Sequence, residues 1–146
     1  MNSIVDPSSD VLWDSVEVEA TLAGTRKKAP GSDAEWNVLR QNAIALVEES
    51  NLLLIPGRRI AAPGDKAEDP RADRNPEEIQ LLMTQDPASW TRFAHRLHDA
   101  AMESLNAIRA KDVQQLLNAG DVLDRACERC HEVYWYRVAP GRAGSR

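Results

Sequence analysis

Apolar residues recur at spacings of three and four along most of the chain, the period of a helix with one buried face. Leu12, Val16 and Ala20 share a stripe, with Trp13 beside it, so a first helix is predicted from Asp6-Pro7 or Ser8 to Gly24. The basic stretch Thr25–Lys28 and then Pro30-Gly31 break the chain. A second helix opens at Ser32, where Ser32 and Glu35 make a capping box that satisfies otherwise unpaired backbone donors. Trp36, Leu39, Ala43, Leu46 or Val47, and Leu54 follow on one face. The run Leu52-Leu53-Leu54-Ile55 widens that face, and Pro56-Gly57 stops it.

Residues 56–75 hold Pro56, Gly57, Pro63, Gly64 and Pro70 among many charges, a composition that predicts a long surface connection. Asn75-Pro76-Glu77-Glu78 reads as a cap, a first-turn proline and dipole-matched acids, so a short helix through Met83 is expected. A third long helix begins at Asp86-Pro87 and carries Phe93 or Ala94, Leu97, Ala101, Leu105 and Ile108 on one face. The fourth begins near Asp112 and runs through Val113, Leu116, Leu117, Gly120, Leu123 and Cys127 to Tyr134 or beyond, until Pro140-Gly141. No alternating strand pattern and no repeat is read. The expectation is all-α: one domain over residues 1–146, an antiparallel four-helix bundle with a long loop between its second and third helices. An irregular all-α fold is the runner-up.

Composition changes this picture little. Hydrophobic residues are 42% and charged residues 28%, ordinary for a globular domain, and 146 residues suffice for one core. The net charge of -5 excludes nucleic acid as an expected partner. Arg137, Arg142 and Arg146 form a basic C-terminal stretch, read as a solvated terminus in preference to a contact for an acidic redox partner. No apolar run is long enough to span a bilayer. Residues 1–7 carry neither a basic nor an apolar leader region, so the sequence is expected to be a mature or trimmed form.

Both cysteines fall in Cys127-Glu128-Arg129-Cys130-His131, the c-type haem attachment signature. On a helix, positions i, i+3 and i+4 project from one face. Two thiols can then bond the porphyrin edge while the imidazole of His131 reaches the iron, and Glu128 and Arg129 point away. This arrangement arises by chance roughly once in a few thousand sequences. The cofactor expected is one covalent haem c per chain. A disulfide would leave His131 unexplained, and a dithiol redox motif lacks its βαβ setting. Zinc on Cys127, Cys130 and His131, in a haem-less binding module, is the alternative, although only His95, His98 or carboxylates remain to complete it.

A helical chain with this motif on its last helix resembles the cytochrome c′ family, the class II c-type cytochromes. The segment Cys127-x-x-Cys130-His131-x-x-Tyr134 is similar to the family's own and brings Tyr134 into the expected site. Trp135 stands where the family often has a basic residue, with Arg137 later. The resemblance implies a periplasmic protein that is not an enzyme, transferring electrons to an unknown redox partner or binding nitric oxide or carbon monoxide. It also implies a possible homodimer through the first two helices. In low-spin relatives a methionine near the first helix is the second axial ligand, which makes Met1 a candidate. Ile4, Val5, Val11 and Leu12 are the apolar alternatives. Met83 and Met102 read as core fillers, and His95 and His98 as solvent-facing or satisfied histidines. Trp36 and Trp90 are expected to fix helix starts, while Trp13, Tyr134 and Trp135 are candidates to line the haem pocket.

Overall fold

The computed structural model describes residues 3–21 and 24–137. Along them run α1 (Val5–Trp13), β1 (Glu17–Thr21), β2 (Gly24–Lys28), α2 (Asp33–Leu52), α3 (Pro76–Gln85), α4 (Pro87–Ala110) and α5 (Val113–Tyr134). The fold is therefore mostly helical, with one small antiparallel hairpin.

The helix starts follow side-chain chemistry closely. The Ser32 hydroxyl accepts from Glu35 N–H at 3.2 Å, and the Glu35 carboxylate accepts from Gly31 N–H at 2.7 Å. Asn75 and Glu78 form the reciprocal box at α3. Asp86 and Asp112 each accept a backbone N–H three residues on, both at 2.9 Å. These bonds satisfy donors that the first turn of a helix leaves unpaired.

Hydrophobic burial then assembles the helices. α4 lies between α2 and α5, and α1 packs on α2. Leu12, Leu39, Leu46, Leu97, Leu105, Leu116 and Leu123 belong to one continuous core. Leu46 and Leu123 are 0% exposed and Leu116 is 1% exposed, so each contributes close to its full transfer energy. α1 also touches α5, where the indole N–H of Trp13 donates to Gly120 O at 3.2 Å. A side chain at Gly120 would meet that ring at 3.5 Å.

The first predicted helix is corrected. It ends at Trp13, and the hairpin follows where an all-α reading expected helix to Gly24. Val16 is buried as the stripe required, but Ala20 is exposed. Glu17-Val18-Glu19 alternates in the strand sense, and its acids face bases: Glu17 pairs with Lys28 and Glu19 with Arg26. The Arg26–Glu19 ion pair spans 2.7 Å. Complementary charge directly across two strands favours this pairing over a helix holding the same acids on one surface. Pro140-Gly141, the expected end of the last helix, lies outside the described residues, as does Met1.

Candidate functional site

α5 places Cys127, Cys130 and His131 on its inner side, as their spacing predicted. Cys127 faces the seam with α4, where Phe93, Ala94 and Leu97 border a small void of about 30 Å³ that Cys130 and His131 also line. Cys130 and His131 further line a cavity of about 480 Å³, within the range of about 300–1,000 Å³ usual for small-molecule and cofactor sites. Both cysteines are free thiols, half-buried. Burial pushes the Cys127 thiol up to about 12, with the neighbouring Cys130 adding to it, and pushes Cys130 up to about 11. Both stay protonated at neutral pH, unlike the low-pKa thiolate of a reactive redox cysteine.

The Nε2 atom of His131 is buried and has no hydrogen-bond partner among the described residues. Burial lowers the pKa of this imidazole, against weaker opposing effects of Glu128 and Asp6, so the ring is neutral at pH 7. A neutral imidazole with a free ring nitrogen is the state that binds a metal. The rings of Trp135 and Tyr136 lie 5.4 Å and 5.9 Å from it.

Aromatic residues build the helical wall of the cavity. Tyr134 is buried and meets Trp90 edge to face at 5.0 Å and Phe93 at 5.8 Å. The Trp90 indole donates to Leu53 O at 2.7 Å, which ties α4 to the end of α2. Tyr134 and Trp135 thus line the site as expected. Trp13 does not, because its ring is spent against Gly120. Trp90, expected only as a helix-start residue, is part of the wall. Glu128 and Arg129 point away: Glu128 accepts from the Tyr136 hydroxyl at 2.8 Å and Arg129 pairs with Glu132 at 3.0 Å.

The long connection between α2 and α3 runs over the surface as expected, and it also forms a wall of this cavity. Arg58, Arg59, Ile60, Lys66 and Arg74 border the same cavity as His131. The connection is fastened at both ends. Ile60 N–H donates to the Gln80 side chain at 3.0 Å, while Arg74 N–H donates to Trp135 O at 2.8 Å. Arg137 is no solvated terminus either. Its backbone N–H reaches Ala72 O at 2.7 Å, its Nε reaches Pro70 O at 2.9 Å, and its Nη2 pairs with Glu78 at 2.6 Å. The chain beyond α5 turns back to bridge Asp73 through Tyr136, which brings Arg137 onto the acid of the α3 cap.

On the remaining side the sequence expectations divide. Val5 and Leu12 are in the core, Val11 packs against it, and Ile4 is 38% exposed; none of the four lines the cavity. From that segment only Ser3 does, among the described residues. Met83 lines the cavity, whereas Met102 packs on the core. His95 is exposed, and His98 lies 3.3 Å from the Asp99 carboxylate, both away from His131. No group of three or more His, Cys, Asp or Glu side chains converges on a metal position among the described residues.

A c-type haem needs two thiols and an imidazole on one helix face, an apolar aromatic wall and a free ring nitrogen. Cys130, His131, Tyr134 and Trp90 offer these on the large cavity, and Cys127, on the same helix face, borders the adjoining small void. No family model matches the chain, and no curated protein or solved structure matches it.

Proposed function

We propose that this chain is a class II c-type cytochrome that transfers electrons, its haem held through thioethers by Cys127 and Cys130 with His131 as an axial ligand. The observation that carries the reading is the buried, unpartnered Nε2 of His131, a residue on the same helix face as both thiols and in the lining of a cavity of about 480 Å³. An orphaned buried nitrogen costs free energy that a bond to iron would recover. When bound, the haem supplies a one-electron couple at its iron. The chain's own part is to hold the imidazole neutral, pack Tyr134 and Trp90 against the bound group and keep water from it.

The packing of α1 on α2, α2 on α4, α4 on α5 and α1 on α5 supports a four-helix bundle of the cytochrome c′ kind with a shortened first helix. The compartment proposed is the periplasm, where covalent haem attachment takes place. Binding of nitric oxide or carbon monoxide belongs to the same reading if the iron's second axial position is open. A homodimer through α1 and α2 is part of the proposal too; Ile4, just before α1, and Val38 on α2 are exposed apolar side chains. The zinc alternative has less support, since a structural zinc takes four ligands and no three converge among the described residues.

Production in a host with a cytochrome maturation system tests this. The expected product shows a c-type haemochrome spectrum and the mass of one attached haem, and Cys127→Ser with Cys130→Ser removes both. A wild-type protein with neither overturns the proposal. The ferrous spectrum before and after carbon monoxide separates the two uses: a large shift means an open iron, no shift a strong second ligand.

A further inference from the structure

The sequence Ile55-Pro56-Gly57-Arg58-Arg59-Ile60-Ala61-Ala62-Pro63-Gly64-Asp65 contains two Pro-Gly turns. In the first, Arg58 N–H bonds Ile55 O at 3.2 Å and Gly57 has φ 74; in the second, Asp65 N–H bonds Ala62 O at 3.2 Å and Gly64 has φ 93. Proline followed by a positive-φ glycine is the type II turn pattern. The Asp65 carboxylate closes the second turn from Ala62 N–H at 2.9 Å, and Gln80 holds Ile60 N–H. Arg58 and Arg59 are thereby displayed between two fixed turns on the cavity wall.

Their guanidinium groups, and the Lys66 ammonium beside them, have no hydrogen-bond or ion-pair partner among the described residues. Nearby cations differ: Arg74 donates to Val133 O at 2.9 Å and Arg71 pairs with Asp69 at 3.2 Å. Asp65, Glu68 and Asp73 also border the cavity, but none of them forms an ion pair with Arg58 or Arg59, so among the described residues both guanidinium groups keep their hydrogen-bond donors free. So the cavity has an aromatic side at Trp90 and Tyr134 and a cationic side at Arg58 and Arg59. A porphyrin has the same division: an apolar plane and two carboxylates, each needing a charge partner once out of bulk water.

We propose that Arg58 and Arg59 receive the two propionate carboxylates of the haem, with Lys66 adding to the same field. This rests on the haem reading above. The paired cations hold the propionates ionised and favour the reduced iron, because an added electron is stabilised by nearby positive charge.

The test compares matured holoproteins: wild type, Arg58→Gln/Arg59→Gln, Arg58→Lys/Arg59→Lys and, as a control, Arg71→Gln. Mass spectra score haem attachment, and redox titration from pH 5 to pH 9 scores the field. The glutamine pair is expected to lower the reduction equilibrium about tenfold, about 59 mV for one electron, and to move the pH inflection upward. The lysine pair and Arg71→Gln are expected to stay near wild type. Attached haem with unchanged potential and inflection in the glutamine pair overturns the propionate assignment and leaves the haem reading standing. A lysine pair or Arg71→Gln shifted as far as the glutamine pair also overturns it. A wild type without haem overturns both.

Discussion

One wall of the His131 cavity is helical and the other is irregular chain, and different forces hold them. The helical wall, Trp90 with Cys130, His131 and Tyr134, rests on the fully buried seam of α4 and α5. The wall formed by residues 58–74 buries little, and it is positioned by two glycine turns and a handful of bonds to α3 and to the chain beyond α5. Apolar burial is non-directional and cumulative, whereas these tethers are few and separately breakable. The contrast assigns precision of the thiols and imidazole to the helices, and adaptability of the cationic wall to the connection.

The contrast is tested most strongly at the seam. Leu123→Ala empties a fully buried site and is expected to cost about 2–5 kcal/mol, read from the denaturant midpoint. A loss below about 1 kcal/mol would show that the seam does not carry the fold. Gly57→Ala probes the opposite wall. The added methyl meets nothing within 4 Å, so only the backbone conformation at φ 74 is penalised, about 1–2 kcal/mol. Faster amide exchange should be confined to the connection; exchange spreading into α4 would break the division. Trp90→Phe removes the bond to Leu53 O where the two walls meet, with an expected loss of about 0.5–1.5 kcal/mol in thermal or chemical unfolding.

The smallest expected effect is a pH dependence of the tethers. Asn75 N–H and then Arg137 hold the Glu78 carboxyl below the ordinary glutamate range. A carboxyl lowered in the fold adds stability above its unfolded pKa, about 4.3, and loses it as pH falls through the lowered value. Protection of the Arg74 and Arg137 amides, corrected for intrinsic rates, should therefore drop in that acid window before protection of α4 changes. Simultaneous loss would mean the connection is not separately held.

Much of the helical wall was legible in the sequence. Ser32 with Glu35, Asp86-Pro87 and Asp112 marked helix starts through local bonds, and the stripes through Leu97 and Leu116 marked the seam. The spacing of Cys127, Cys130 and His131 put them on one face because helical geometry depends only on neighbours in sequence. The hairpin was missed since Leu12, Val16 and Ala20 satisfy the helical period; Glu19 opposite Arg26 was the competing signal, visible only as an acidic stretch followed by a basic one. The cationic wall was hidden for a different reason. Pro56-Gly57 and Pro63-Gly64 announce turns, but the connection that carries Arg58 and Arg59 is tethered at Ile60 by Gln80, twenty residues on. Arg137 against Glu78, likewise, is a contact between distant segments that no local pattern encodes.

The fastening of the connection at its two ends separates access to the cavity from the integrity of the core. Parting α4 from α5 would sacrifice the leucine seam. Releasing the Ile60–Gln80 bond at one end, and the Arg74 and Arg137 bonds at the other, gives the same access and leaves every core leucine in place. The cavity can thus be reached from the side of the connection without disturbing the core.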